Sequence, residues 1–305
     1  MVESQALVTN EFNKKLLLII NPVSGKKIIL RHIPDIIRIF MDAGYLVSTM
    51  VTGKAGDASE FSCRYGKDYD LVCCTGGDGT LNETINGLVE SNTHVPLSYI
   101  PCGSTNDFAN SHCLSTDILK AAENAARGTV IDYDIGRFGQ HYFTYLAAFG
   151  AFSWLAYTTD QNKKNLLGHT AYVLDGIKDL SKIKPIHLKM EADGVMHEDD
   201  YIFGAVCNSP SIVGAITLPL QSVDTCDGIF EVLLIKMPKN LSELDNIIRC
   251  ILTIDYTSPQ LDFFHARDIV VENPPGLVWA LDGEASGYYE KVHINPVNSF
   301  LHLKA

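Results

Sequence analysis

Nine consecutive residues, Thr75-Gly76-Gly77-Asp78-Gly79-Thr80-Leu81-Asn82-Glu83, carry the strongest chemical signal in the sequence. They follow an apolar run, Asp70 to Cys74, and open a helical pattern, Thr80 to Val89. Glycines at such a junction let backbone approach a ligand closely, and the amides of a helix N-terminus favour an anion. The spacing therefore predicts a phosphate cradle. Asp78 places a carboxylate inside it, where two negative groups repel, and a divalent cation between them removes the conflict. A glycine-rich turn capped by Asp78 is the plainer alternative, and a short Gly motif alone does not separate the two.

Two further polar loops follow apolar runs in equivalent places. One is Asn21-Pro22-Val23-Ser24-Gly25-Lys26, which lacks the first Gly and the final Ser or Thr of a Walker A loop. The other is Pro101-Cys102-Gly103-Ser104-Thr105-Asn106-Asp107-Phe108. Ligands of open α/β sheets bind across the carboxyl ends of the strands. Three such loops at one edge point to one nucleotide site, although each alone reads as an ordinary connection.

Later in the chain, Leu281-Asp282-Gly283-Glu284 follows the apolar Leu277 to Ala280. A carboxylate beside apolar surface suits a general base, which an alcohol needs when it attacks phosphorus. Asp-Gly is equally a common turn. Asp224-Thr225-Cys226-Asp227-Gly228-Ile229 is a second acidic turn, either a plain hairpin turn or a cation site built from carboxylates and carbonyls.

The elements that must position these groups change character along the chain. Up to about residue 130, apolar runs at Lys15–Ile20, Leu46–Val51, Asp70–Cys74 and Leu97–Ile100 alternate with helical patterns at Ile33–Met41, Thr80–Val89 and Ser115–Ala126, and Asp57 reads as a helix cap. This predicts an N-terminal doubly wound α/β nucleotide-binding domain over residues 1–130. Beyond it, strand patterns dominate (His141–Ala148, Ile186–Glu191, Tyr201–Cys207, Ile229–Ile235, Asp268–Val271), with a hairpin turn at Asp193-Gly194 and helices at His169–Ser181 and Leu241–Leu252. A mostly antiparallel β-sandwich domain over residues 131–305 is expected, with the boundary between Arg127 and Asp134.

Composition narrows the partners. The 305-residue chain carries a formal net charge of −12, which argues against nucleic acid. No apolar run is long enough to cross a bilayer, and Met1–Asn10 has no signal-peptide pattern, so a cytoplasmic location is expected. Eight cysteines without a Cys-x-x-Cys pair read as free thiols. Between Gln161 and Lys189 six lysines (163, 164, 178, 182, 184 and 189) face two aspartates, the one sizeable basic excess. It reads either as a solvated face or as a docking patch.

Taken in order, Asn21 to Gly25, Gly76 to Glu83, Gly103 to Phe108, Asp224 to Ile229 and Asp282 to Glu284 resemble the catalytic family of the diacylglycerol kinases, which includes sphingosine and ceramide kinases. The resemblance spans nearly the whole chain and is closest to the compact bacterial members. It implies ATP and Mg²⁺ as cofactors and a lipid hydroxyl, most simply that of diacylglycerol, as acceptor. Asn21, Ser24, Gly25, Thr52, Gly76, Gly77, Gly79, Thr80, Asn82, Glu83, Gly103, Ser104, Asn106 and Asp107 would line the nucleotide site in the cleft between the domains, with Asp78 linked to magnesium. Glu284 would accept the proton, Asp282 would support the metal network, and Asp227 with the carbonyls of Asp224 and Ile229 would hold a structural magnesium. Two departures stand out: Asn110 replaces a basic residue, and Cys226 stands where a second Asp is common. A membrane substrate implies peripheral membrane contact, for which Phe149, Phe152, Trp154 and Leu155 beside the lysine-rich stretch are the candidates; a homodimer is compatible with the sequence. The rivals are an NAD kinase-like phosphotransferase, which shares the Gly-Gly-Asp-Gly-Thr element, and a non-catalytic nucleotide or lipid sensor, which needs no base.

Overall fold

The computed structural model describes residues 12–150, 184–212, 216–219 and 223–305. They fall into two compact units. The first comprises the described residues up to Gly103, with Leu114–Ile131 and His302–Ala305; the second comprises Ser104–Cys113 and Asp132–Leu301.

The first unit alternates β1 (Lys14–Ile20), α1 (Ile29–Asp42), β2 (Tyr45–Val51), α2 (Asp57–Tyr65), β3 (Leu71–Gly76), α3 (Asp78–Glu90) and β4 (Leu97–Pro101). After the five-residue α4 (Asp107–Ser111), which belongs to the second unit, α5 (Ile118–Arg127) returns to the first. The four strands pair in parallel in the order β2-β1-β3-β4. Leu16–Ile20 and all of β3 are buried, as strands covered by helices on both faces must be. On one side Phe40 and Ile36 of α1 and Ala122 and Ala125 of α5 pack onto Leu16 and Leu18. On the other, α3 lies against α2. Gly87 permits this, because a Cβ there would stand 2.2 Å from the Ser59 carbonyl oxygen.

The second unit is the antiparallel β-sandwich expected from the strand patterns. Its strands, of which β5 begins and β17 ends in residues of the first unit, are β5 (Val130–Phe138), β6 (His141–Phe143), β7 (Leu146–Gly150), β8 (Ile186–Ala192), β9 (Val195–Cys207), β10 (Ser211–Ile212), β11 (Ile216–Thr217), β12 (Phe230–Lys236), β13 (Leu261–Ala266), β14 (Ile269–Glu272), β15 (Val278–Leu281), β16 (Glu284–Tyr288) and β17 (Lys291–Lys304), with α6 (Leu241–Thr253) between β12 and β13. The long β9 organises them. Its first half pairs with β8, and its second half pairs with β7 on one side and β12 on the other. The core draws Phe149, Met190, Phe230, Ile269 and the fully buried Trp279 from different strands. Trp279 satisfies its one donor by giving Nε1–H to Asn273 Oδ1 at 3.0 Å, which an indole buried this deeply requires.

Several sequence expectations are corrected here. The stretch His141–Ala148 is two strands, broken where three successive amides from Thr144 turn to a carboxylate described below. Phe149 is fully buried with its ring centroid 4.7 Å from that of Trp279, so it is core and offers no membrane entry. Lys189 is paired with Glu198 at 3.1 Å, so its charge is partly neutralised. Phe152, Trp154, Leu155, Lys163, Lys164, Lys178, Lys182 and the helix expected over His169–Ser181 lie outside the described residues. No helix among the described residues is long and apolar enough to cross a membrane.

Candidate functional site

In the first unit the strand order reverses between β1 and β3, and open α/β sheets place their ligands outside the carboxyl ends at such a reversal. The loops that leave these strands, and the loop after β4, are bolted together. Asn21 donates its backbone N–H to the Thr75 carbonyl at 2.9 Å and its Nδ2 to Thr80 Oγ1 at 2.9 Å. Its Oδ1 accepts from Val23 N, which shapes the turn towards Ser24. Gly25 adopts φ +54°, and a Cβ there would lie 1.9 Å from the Cys102 carbonyl oxygen, so only glycine lets the first loop touch the third. Cys102 N–H donates to the Gly76 carbonyl at 2.7 Å, and a Cβ on Gly77 would meet Gly103 Cα at 3.4 Å and Ser24 Oγ at 3.9 Å. The structure thus brings Asn21, Ser24, Gly25, Gly76, Gly77, Thr80 and Gly103 into one constellation. Helix α3 starts at Asp78, behind an extended Gly77, without a side-chain cap. Leading helix amides without a cap are suited to an anion.

The other expected nucleotide residues have local anchors of their own. Thr52, just past β2, is tied to β1 by its N–H on the Ile20 carbonyl at 2.9 Å. Gly79 and Asn82 lie in the first turns of α3, where Asn82 Oδ1 accepts from Asn86 Nδ2 at 2.9 Å. The carboxylate of Glu83 turns to α2. Its Oε1 accepts from Gly56 N at 2.9 Å and its Oε2 from Ala58 N at 3.3 Å, so the carboxylate closes the N-terminus of α2. Asp57 does not cap that helix. It is the first helical residue, behind a left-handed Gly56, and its Oδ2 accepts from Gly53 N and Lys54 N. Those two bonds, with Gly53 foremost, hold its carboxyl below the usual range. Ser104, Asn106 and Asp107 belong to the second unit. Asn106 takes φ +50° ahead of α4, and Asn110 folds back to give Nδ2–H to the Thr105 carbonyl at 2.8 Å.

In the second unit Asp282 and Gly283 form the two-residue turn between β15 and β16, with φ +48° and +88°. Two positive φ values in succession are what a type I′ hairpin turn requires. The turn sets Glu284 opposite Leu281 as the first, exposed residue of β16. Asp282, only 6% exposed, accepts from Thr144 N (2.6 Å), Thr144 Oγ1 (2.8 Å), Tyr145 N (3.0 Å) and Leu146 N (3.1 Å). A carboxylate has about four lone-pair sites. Protein donors fill them, and Asp282 thereby anchors the turn that carries Glu284.

The acidic turn is held from within. Asp224 Oδ1 accepts from Cys226 N at 3.0 Å and Asp227 Oδ1 from Ile229 N at 2.9 Å. The buried Asp134 accepts from Gly228 N and Ser299 N, and Arg267 donates to the carbonyls of Asp227 and Gly228. Behind the turn, Asn208 gives Nδ2–H to the carbonyls of Asp134 (2.7 Å) and Thr225 (3.3 Å), while its Oδ1 is buried without a donor. Glu231, 1% exposed, likewise leaves Oε2 without a donor. Burial above all, then the charges of Asp227 and Asp224, push Glu231 up to about 8. Tyr133 donates to the Asn208 carbonyl at 2.7 Å and lies 2.8 Å from His112 Nε2. Asp134, Asn208, Glu231 and Thr144 have no motif to announce them in the sequence.

One unit carries the glycine-lined loops at the strand-order reversal, and the other carries the Asp-Gly-Glu hairpin. Residues 15–138 match the diacylglycerol kinase catalytic domain and residues 150–298 the YegS C-terminal NAD kinase beta sandwich-like domain. The diacylglycerol kinase of Bacillus subtilis (strain 168) is 32% identical over 286 residues, covering 92% of this chain and 93% of that one. That of Staphylococcus saprophyticus is 32% identical over 277 residues, 90% of each. Among solved structures, a diacylglycerol kinase from Bacillus anthracis str. Sterne aligns with a TM-score of 0.75 at 21% identity over 95% of this chain and 96% of that one, a likeness of fold. The chain belongs to the diacylglycerol kinase family. It is accordingly a phosphotransferase with an alcohol acceptor.

Proposed function

We propose that this protein is an ATP- and magnesium-dependent lipid kinase that phosphorylates the hydroxyl of diacylglycerol, giving phosphatidic acid. The observation that carries the reading is the convergence of the Asn21, Gly76–Thr80 and Gly103 loops at the strand-order reversal, with an uncapped α3 behind them. Backbone amides and glycines there bind the phosphates, and Asp78 meets the magnesium that accompanies them. Magnesium, when bound, neutralises phosphate charge and polarises the transferred phosphoryl group. Glu284 takes the proton from the lipid hydroxyl as it attacks, and Asp282 holds the hairpin on which Glu284 stands. Positioning and charge neutralisation supply most of the acceleration in such a transfer.

Asp227, with the carbonyls of Asp224 and Ile229, holds a structural cation, and the buried Glu231 oxygen without a donor fits a positive charge near that turn. Because the acceptor resides in a bilayer, the enzyme works on the cytoplasmic membrane surface by peripheral contact. Incubation with ATP labelled in the γ-phosphate and a total lipid extract tests the proposal. Label in phosphatidic acid is the expected result; label in NADP when NAD is supplied instead, or none in any acceptor, would sink it.

A further inference from the structure

One hydrogen bond of the phosphate loop comes from a residue that no motif includes. Tyr99, in β4, is 4% exposed and gives its phenolic O–H to the Gly76 carbonyl at 3.2 Å. The same oxygen takes the Cys102 N–H at 2.7 Å. Tyr99 stands opposite Cys74 in the β3–β4 register, so the phenol reaches two residues along β3, to its last one. A carbonyl oxygen has two lone pairs, and both of these are spent on donors from β4 and the loop that leaves it.

The consequence falls on the next amide. A trans peptide is planar, so its C=O and N–H point in opposite directions, and the Gly76–Gly77 peptide is trans. In the sheet, β3 lies between β1 and β4. With the Gly76 carbonyl held towards β4, the Gly77 N–H points to the β1 side, where β1 has already ended at Ile20 and the Asn21 loop departs. That is the crevice at the strand-order reversal. No carbonyl of the described residues receives the Gly77 N–H. Gly77 is extended (φ −91°, ψ −177°), and a Cβ on it would face Gly103 Cα and Ser24 Oγ at 3.4 and 3.9 Å. The preceding peptide is fixed as well, since the Thr75 carbonyl takes the Asn21 N–H at 2.9 Å. A donor oriented by its own fold before the ligand arrives need not be ordered on binding.

We propose that Tyr99 is a positioning residue for the nucleotide: its phenol, clamped on the Gly76 carbonyl, aims the Gly77 N–H at a phosphate oxygen in the crevice past β1. The inference rests on the phosphate cradle proposed for these loops. Tyr99 acts through this one peptide group and does not meet the reacting atoms.

Tyr99→Phe tests it, because the ring keeps its buried place and only the hydroxyl is lost. The full chain, isotope-labelled for NMR, is titrated with ATP and Mg²⁺ and separately with adenosine. In the wild type the phosphates should add affinity over adenosine, and the Gly77 amide signal should move with ATP and stay in place with adenosine. In Tyr99→Phe the ATP affinity should fall about three- to tenfold, the range that one lost hydrogen bond gives. Adenosine affinity should match the wild type, and KM for ATP should rise while kcat stays within about twofold. Equal loss for ATP and adenosine would overturn the proposal by showing a site damaged as a whole. A wild-type Gly77 amide that ignores ATP would overturn it without any variant, so the proposal is decided even if Tyr99→Phe does not fold. A wild type that binds ATP no better than adenosine would remove the cradle and this role together. If the phosphates add affinity to the same extent in both proteins, the cradle stands and only the role of Tyr99 falls.

Discussion

Thr144 gives both of its donors to one oxygen of Asp282, its backbone N–H at 2.6 Å and its hydroxyl at 2.8 Å. The other oxygen takes the next two amides, so a side chain on one end of the β15–β16 turn fixes the start of β7. Asp282→Asn replaces acceptor oxygen by an amide that faces donors. At least one buried N–H then goes unmatched, and the protein should lose about 2–3 kcal/mol of stability. Urea unfolding checks this. Turnover should fall as the hairpin shifts, while the magnesium concentration for half-maximal rate should stay unchanged; a raised magnesium requirement would return Asp282 to the metal.

Glu284 is one residue past the same turn but exposed, so its substitution should behave in the opposite way. Glu284→Gln should leave the urea midpoint within the ~0.5 kcal/mol typical of surface changes. Turnover should drop by about two to four orders of magnitude if the carboxylate is the general base. ATP affinity should persist. Near-wild-type turnover would remove Glu284 from the chemistry.

The two oxygens of Glu83 join α3 to the amides of Gly56 and Ala58, and so steady the segment that begins at Thr52. Glu83→Gln turns one acceptor into a donor against an N–H, which should cost about 1–2 kcal/mol. KM for ATP should rise more than kcat falls, since the carboxylate positions the loop and does not meet the reacting atoms. Glu83→Asp, which keeps the charge, should recover part of the loss in KM.

How much of this was legible in the sequence depends on whether a feature is local. The Gly76–Glu83 string, the loop at Asn21 and the Asp282-Gly283 turn are read from neighbours in the chain, because glycine and turn chemistry act within a few residues. The strand–helix alternation ahead of Arg127 is read in the same way. What Asp282 and Glu83 do with their carboxylates was not legible, because Thr144 lies 138 residues from Asp282 and Gly56 lies 27 from Glu83. A sequence pattern gives the residue type at a site but not the donors that tertiary contact brings to it. Asp134 and Asn208 were missed for that reason, since the groups they bond, Gly228, Ser299 and Thr225, lie far along the chain. Phe149 failed in the other direction: an aromatic beside candidate membrane residues turned out to pack on Trp279.

Gly25 offers a steric test of the first loop. Alanine there must hold φ +54° and must bring its Cβ against a backbone carbonyl that cannot rotate away, since Cys102 is itself tied to Gly76. The left-handed conformation alone costs about 1–3 kcal/mol in a non-glycine residue. Gly25→Ala should therefore be destabilised by at least about 2 kcal/mol and should bind ATP more weakly, because the first and third loops are forced apart. Wild-type ATP affinity in a titration would show that their contact does not shape the nucleotide site.

His112 gives the second unit a predictable response to acid. Its ring is packed 4.5 Å from Phe108 and 4.8 Å from Tyr133, centroid to centroid. Tyr133 spends its own proton on the Asn208 carbonyl, so His112 Nε2 must carry the hydrogen and donate to the phenol oxygen at 2.8 Å. That leaves a neutral ring, and burial lowers its pKa to about 4. In the unfolded chain an ordinary histidine titrates near 6.5. Between those two values the unfolded state binds the extra proton and the folded state does not, so stability must fall as pH falls through this window. Above about 6.5 both states are neutral and the contribution is fully present. The loss by pH 4 should be on the order of 2–3 kcal/mol. Urea midpoints at pH 7 and pH 5 measure the effect. His112→Gln, which keeps a donor for Tyr133 but cannot titrate, should be less stable at pH 7 yet should lose less on going to pH 5. An unchanged difference between the two pH values in this variant would assign the acid sensitivity to other groups.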